Sequence, residues 1–263
     1  MKTAALVIAA ALAVTLTACG GGGSDSAPAP VAKKPTLSFY GNPLPIAPAS
    51  GAVANVQVVR ADVAAPASDP NAETVVTLQD ALAAQGVTAT VTPQLMNGTT
   101  LHALIMGEDN GLPPTNDQFV TDPSGFLVVN FTLDDMVTPR SDPNQQAALA
   151  QFKEDMTTFI QRAHVAGKIV FVIMPIPTCD TVQGQSAADG LIESASQAAA
   201  AAGGQGVGGI PFIGGTDANG AVINTYTQGH LGADCRTPDT WLLNAWTQSI
   251  ATPIAAAMKQ GLN

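Results

Sequence analysis

Lys168-Ile169-Val170-Phe171-Val172-Ile173-Met174 is apolar after its first residue, and Phe126-Leu127-Val128-Val129-Asn130-Phe131 is a second apolar run interrupted only by Asn130. Runs of this length without polar alternation suit strands covered on both faces, as in a parallel sheet. Between them, Asn144 to Ala166 carries Phe152, Met156, Phe159 and Ile160 on one helical stripe and stops at Gly167. Strand, helix and strand in that order make a βαβ unit, whose crossover is right-handed.

The pattern continues in both directions. Upstream, Thr36 to Tyr40 reads as a short strand stopped by Gly41-Asn42-Pro43, Thr74 to Gln85 as a helix ended by Gly86, and Val87 to Thr92 as a β-branched strand. Downstream, Ser186 to Ala201 is an Ala-rich helix, a short strand is expected near Ile210 to Ile213, and Trp241 to Met258 is a last helix kinked at Pro253. The stretch Gly203 to Gly209 (GGQGVGG) lacks a phosphate-loop lysine and follows a helix, so it reads as a flexible linker. Strands separated by helices predict an α/β fold, a parallel sheet with helices on both faces. Its functional loops would lie at the carboxyl ends of the strands, in residues 41–45, 93–100, 131–140, 175–180 and 229–238.

Composition narrows the function. The 263 residues are 46% hydrophobic and 11% charged, with a formal net charge of −10 and only ten basic side chains. No basic patch can form, which argues against nucleic acid and against an anionic membrane face as partners. The N-terminus is a separate matter. Lys2 precedes an almost wholly apolar stretch from Ala4 to Thr17, closed by Leu16-Thr17-Ala18-Cys19, the layout of a secretory signal peptide. The Leu-Thr-Ala-Cys ending resembles the lipobox of bacterial lipoproteins. That resemblance implies a signal peptide over 1–18, acylation of Cys19, and a membrane partner reached through the lipid anchor. With Gly20 and no Asp after the cysteine, the outer membrane of a bacterial cell envelope is the expected location. Residues 19–35 are rich in Gly, Ser and Pro and read as a tether to a domain over 36–263. Two cysteines remain, Cys179 and Cys235. An even pair in an exported chain favours a disulfide over two buried thiols or a metal pair.

Four segments carry a further resemblance: MNGTT (96–100), VVNFTLDDM (128–136), AGKIVFVIMPIPT (166–178) and DCRTPD (234–239). In order and spacing they are similar to the blocks of the SGNH (GDSL-like) hydrolases. The resemblance covers about residues 36–258. It implies a three-layer, flavodoxin-like domain of esterase or lipase ancestry, whose Gly-Asp-Ser turn supplies the nucleophile and whose Asp-x-x-His-Pro supplies two triad members. Gly98 matches the second-block glycine and Asp234 the triad Asp. The other positions depart. Gly41-Asn42-Pro43 puts Pro43 where the serine belongs, and a proline has neither a nucleophilic atom nor an N–H for an oxyanion hole. Asp134 replaces the third-block amide donor with a carboxylate that would repel an oxyanion. Thr237 replaces the histidine, and a hydroxyl is no general base near neutral pH.

Few residues could rescue the chemistry. Of the three histidines, His164 sits at a helix C-terminus, His102 early in a helix, and His230 a few residues before the last block, which makes His230 the best substitute base. Asp134, Asp135 and Asp234 form a potential acidic cluster, with Arg236 as a candidate counter-charge, although solvated carboxylates are the simpler reading. Trp241 and Trp246 do not share a helical stripe, so one is expected in the core and the other partly exposed. No cofactor and no metal is expected. The sequence therefore predicts an envelope-anchored SGNH-like domain without its catalytic residues, holding a glycan, lipid or protein ligand in the old pocket. An esterase that uses relocated residues is the alternative.

Overall fold

The structure, a computed structural model, describes residues 34–45, 69–94, 98–108, 111–179, 186–218, 220 and 222–261. The signal peptide, Cys19, nearly all of the tether and the Asn97 side of the second block lie outside the described residues.

Among the described residues, seven strands and five helices follow in the order β1 (Thr36–Gly41), α1 (Pro70–Ala84), β2 (Thr90–Gln94), α2 (Leu101–Met106), β3 (Phe126–Asn130), α3 (Pro143–Val165), β4 (Ile169–Ile173), α4 (Ala187–Ala202), β5 (Gln205–Val207), β6 (Gly214–Thr216), β7 (Val222–Asn224) and α5 (Thr240–Gly261). The first five strands form one all-parallel sheet in the order β2-β1-β3-β4-β5, and β6 and β7 form a separate antiparallel pair. That strand order is the flavodoxin-like one. No described helix is long and apolar enough to cross a membrane.

Strand alternation sorts the core into two layers. Leu37, Phe39, Val128, Phe171 and Ile173 pack with α1 and α5, through Leu78, Leu82, Ile250 and Ile254. Tyr40, Leu127, Val129, Val170 and Val172 point to the other face, against α2, α3 and α4. The α3 stripe of Phe152, Met156, Phe159 and Ile160 is wholly buried, as its spacing predicts. Tyr40 is fixed there by its hydroxyl, which donates to Asp122 Oδ2 at 2.6 Å. Burial and the adjacent carboxylate push its ionisation well above the usual tyrosine range.

Local chemistry sets the element ends. Asp69 and Asp142 cap α1 and α3, each followed by a proline at the first helical position, and Ser186 caps α4. The second strand begins later than its β-branched pattern suggests. The Val87 N–H still closes onto the Leu82 carbonyl at 3.0 Å, so the chain joins the sheet only at Thr90. Two downstream expectations need correction. Gly203 to Gly209 is not a linker: Gln205–Val207 is β5, paired with β4, and the segment 210–213 forms no strand. Glycine is required there by close packing. A Cβ at Gly208, whose φ is +78°, would stand 3.0 Å from both Ile250 Cγ1 and Trp246 Nε1. The indole N–H of Trp246 meanwhile donates to the Met174 carbonyl at 2.9 Å, which makes Trp246 the core tryptophan and leaves Trp241 47% exposed.

Cys179 and Cys235 are joined in a disulfide that closes a separation of 56 residues. It ties the loop after β4 to a hairpin whose strands meet at Leu231 and Pro238. In the chain-entropy account a loop of this length contributes about 4 kcal/mol. A Cys179→Ala/Cys235→Ala double variant is expected to lose about that much in urea unfolding monitored by circular dichroism, with the five-stranded sheet retained. Gly41 is the second sensitive point. Its φ is +100°, and a Cβ would overlap the Asn130 carbonyl oxygen. Gly41→Ala is expected to cost about 2–4 kcal/mol in the same measurement.

Candidate functional site

The order of the sheet reverses between β1 and β3, so their carboxyl ends diverge into a crevice where ligands of open α/β sheets bind. The first-block turn is locked onto this edge. The Asn42 N–H donates to the Asn130 carbonyl at 2.6 Å, and Asn130 Nδ2 returns a bond to the Asn42 carbonyl at 2.7 Å. Asn42 Nδ2 then reaches Thr132 Oγ1 at 2.6 Å, joining the first block to the third. Pro43 follows immediately and is partly buried. Its ring nitrogen carries no hydrogen, so this turn offers neither a hydroxyl nor an N–H at that position.

The last block stands as a hairpin beside the third. Asp234 is engaged within its own turn: it accepts from Thr237 Oγ1 at 2.6 Å, from the Thr237 N–H at 3.0 Å and from the Arg236 N–H at 3.1 Å. The Thr237 hydroxyl is the largest of the causes that hold the Asp234 carboxyl down at about 2. A depressed carboxyl stabilises its turn above the ordinary carboxylate range, and this one keeps its turn until the pH falls through about 2. The Asp–Thr pair thus closes on itself within its own turn.

Asp135 behaves alike, accepting from Thr138 Oγ1 at 2.6 Å and from the Val137 and Thr138 N–H groups at 2.8 and 2.9 Å. These bonds, led by the Thr138 hydroxyl and joined by the charge of Arg236, lower its ionisation. Arg236 therefore lies within electrostatic reach of the third block. The acidic cluster does not assemble as a metal site. No group of three or more His, Cys, Asp or Glu side chains with metal-site geometry occurs among the described residues, because Asp135 and Asp234 each cap their own turn.

A cavity of about 490 Å³ opens between the start of α2, the loop after β3 and the first half of α3. Thr132, Leu133, Asp134 and Asp135 line it, so the third block forms one of its walls. Pro43, Gly98, Asp234, Thr237 and His230 do not line it. A residue that sequence reasoning had set aside does. His102 lies against Asp155, with Nδ1 at 3.1 Å from Oδ2 and 3.2 Å from Oδ1, and Gln151 Nε2 donates to the same carboxylate at 3.1 Å. The side chain of Asp155 is only 8% exposed, whereas that of His102 is half exposed. The signal was absent from the sequence because 53 residues separate the two partners, which meet only when α2 packs on α3.

The other histidines differ. His230 Nδ1 contacts Asp239 Oδ2 at 2.8 Å, and its ring stacks on Trp241 with centroids 4.0 Å apart. Asp239 also caps α5 through the Leu242 N–H, and that bond, followed by His230, depresses its carboxyl. His164 ends α3 and packs beside Gly203.

No family model matches the sequence, and no curated protein does either. Several solved structures are similar. One is described as TesA, at 16% identity and a TM-score of 0.44, covering 87% of this chain and 99% of that one. A candidate SGNH hydrolase from Slackia heliotrinireducens aligns at 15% identity and a TM-score of 0.48, over 84% of this chain and 100% of its own. The psychrotrophic esterase EstA from Pseudoalteromonas sp., inhibited by monoethylphosphonate, aligns at 12% identity and a TM-score of 0.42, over 87% and 98% of the two chains. At these identities and TM-scores the likenesses say nothing of this chain's activity, which turns on its own residues.

Proposed function

We propose that this chain is a lipid-anchored envelope protein whose SGNH-like domain binds a small ligand without hydrolysing it. The observation that carries the reading is the closed Asp234–Thr237 pair, taken together with a first-block turn that ends in Pro43. Acyl transfer needs a nucleophile, a base to take its proton and N–H donors for the oxyanion. Pro43 supplies none of these, Thr237 is no base, and Asp134 sets a negative charge where a donor would stand. The third-block loop remains intact as a cavity wall, which leaves binding as the capacity the site keeps. The His230–Asp239 pair favours a second reading, an esterase that draws its base from the hairpin.

The anchoring half of the proposal rests on Leu16-Thr17-Ala18-Cys19. Several acyl chains on Cys19, each buried CH₂ contributing roughly 0.8 kcal/mol, would hold the domain stably at a bilayer.

Hydrolysis of short-chain p-nitrophenyl esters by the full-length chain separates the two catalytic readings. No turnover above the uncatalysed rate and no labelling by a fluorophosphonate serine probe are expected. Measurable turnover in a Pro43→Ser/Thr237→His variant would support the block alignment. Wild-type turnover that disappears in His230→Ala would establish the esterase reading instead. For the anchor, Cys19→Ser is expected to move the chain from the membrane to the soluble fraction of the host cell. Mass spectrometry of the wild-type N-terminal peptide should show the acyl groups, and an unmodified Cys19 would refute the anchor.

A further inference from the structure

The binding reading leaves open what the cavity takes, and its lining answers in terms of donors and acceptors. Asp155 is buried, and both of its oxygens are already engaged by His102 and Gln151. A carboxylate can only accept, so the His102 nitrogen facing it, Nδ1, carries a proton, and Nε2 is the ring nitrogen left to the cavity, an acceptor in the tautomer that this contact selects. Gln151 gives its amide nitrogen to Asp155, which leaves its carbonyl oxygen as a second acceptor. Gln145, only 4% exposed, gives its amide nitrogen to the Asp135 carbonyl at 2.9 Å and keeps its own carbonyl oxygen as a third. Asp134, which has no partner among the described residues, is a fourth. Three donors balance them. Thr132 accepts from Asn42 and Thr100 from the Ala103 N–H, so each retains its hydroxyl hydrogen, and Asn144 lines the cavity with its side-chain amide uncommitted.

No lysine or arginine lines the cavity, so an anionic ligand such as a fatty acid or a phosphate finds no counter-charge there and faces the carboxylate of Asp134. An organic cation fares little better, because Asp134 is the one carboxylate left to pair with it and is exposed to water. A neutral ligand with many hydroxyl hydrogens and some hydroxyl oxygens fits the inventory. Leu101, Leu133 and Phe152 complete the lining with apolar surface suited to the C–H face of a ring. A volume of about 490 Å³ falls in the range of small-molecule sites.

Resting on the binding reading above, we infer that the α2–α3 cavity is a saccharide site, in which His102, held by Asp155, and Gln151 accept hydrogen bonds from sugar hydroxyls. His102 and Gln151 are the binding residues, and Asp155 positions both.

The test is isothermal titration of the full-length chain, purified in a detergent without a sugar headgroup, against glucose, N-acetylglucosamine and cellobiose, with hexanoate and hexylamine as comparison probes. Binding of at least one sugar is expected, weakened about tenfold or more in His102→Ala and in Gln151→Ala. Gln151 lies on an exposed stretch of α3, so its variant is read alongside a thermal melt that confirms folding. Sugar binding unchanged in both variants would overturn the assignment of the site. Binding of hexanoate or hexylamine but of no sugar would overturn the ligand class and leave the binding reading in place. Binding of none of the five probes would overturn both.

Discussion

The reciprocal clasp between Asn42 and Asn130 fixes the working edge of the sheet. Two parallel strands that diverge at a switch point have no ladder bonds beyond their last paired residues, so their following loops would otherwise separate. Here the backbone of the first loop bonds to the end of β3, the Asn130 side chain returns the bond, and Asn42 extends it to Thr132. Gly41 makes the approach possible by having no side chain at the crossing. Thr132 opens the cavity wall, so the clasp links the fold's topology to the cavity near that edge. Charged or apolar residues at positions 42 and 130 would remove this link even with the core untouched.

The hairpin on the other side is held by different means. Cys235 has a φ of 56° and is the one non-glycine residue with positive φ among those described. That conformation costs about 1–2 kcal/mol for a residue with a Cβ. It persists because the disulfide, the Cys179 N–H to the Cys235 carbonyl and the Cys235 N–H to the Gly232 carbonyl all fix the same residue. The turn presenting Asp234 and Thr237 is consequently tied at Cys235 to the loop after β4.

The two long apolar strands and the α3 stripe were legible because burial on both faces writes directly into composition. Cys179 and Cys235 were legible as a pair because an even count leaves little choice. The misreading of Gly203 to Gly209 has a clear origin. Glycine is the signature of both a loose linker and a close approach, and only the positions of Ile250, Trp246 and Met174 distinguish them. The His102–Asp155 contact escaped for another reason. Each residue is unremarkable on its own helix, and the meaning lies in the packing of α2 on α3, which single-chain periodicity does not report. The hydrogen bonds of Asp234 to Thr237 were not legible, since they depend on the hairpin's turn geometry.

An open parallel sheet has two edges, and each is blunt in this chain. The outer strand β2 is five residues long and contains Pro93, which removes one N–H from the row available to another molecule. The opposite outer strand, β5, is three residues long and is followed at once by the left-handed Gly208, which turns the chain away beneath Trp246. Neither edge gives a neighbouring copy enough ladder to extend the sheet. The same glycines and proline that weaken the strand signal in the sequence thus guard the folded protein against edge-to-edge aggregation.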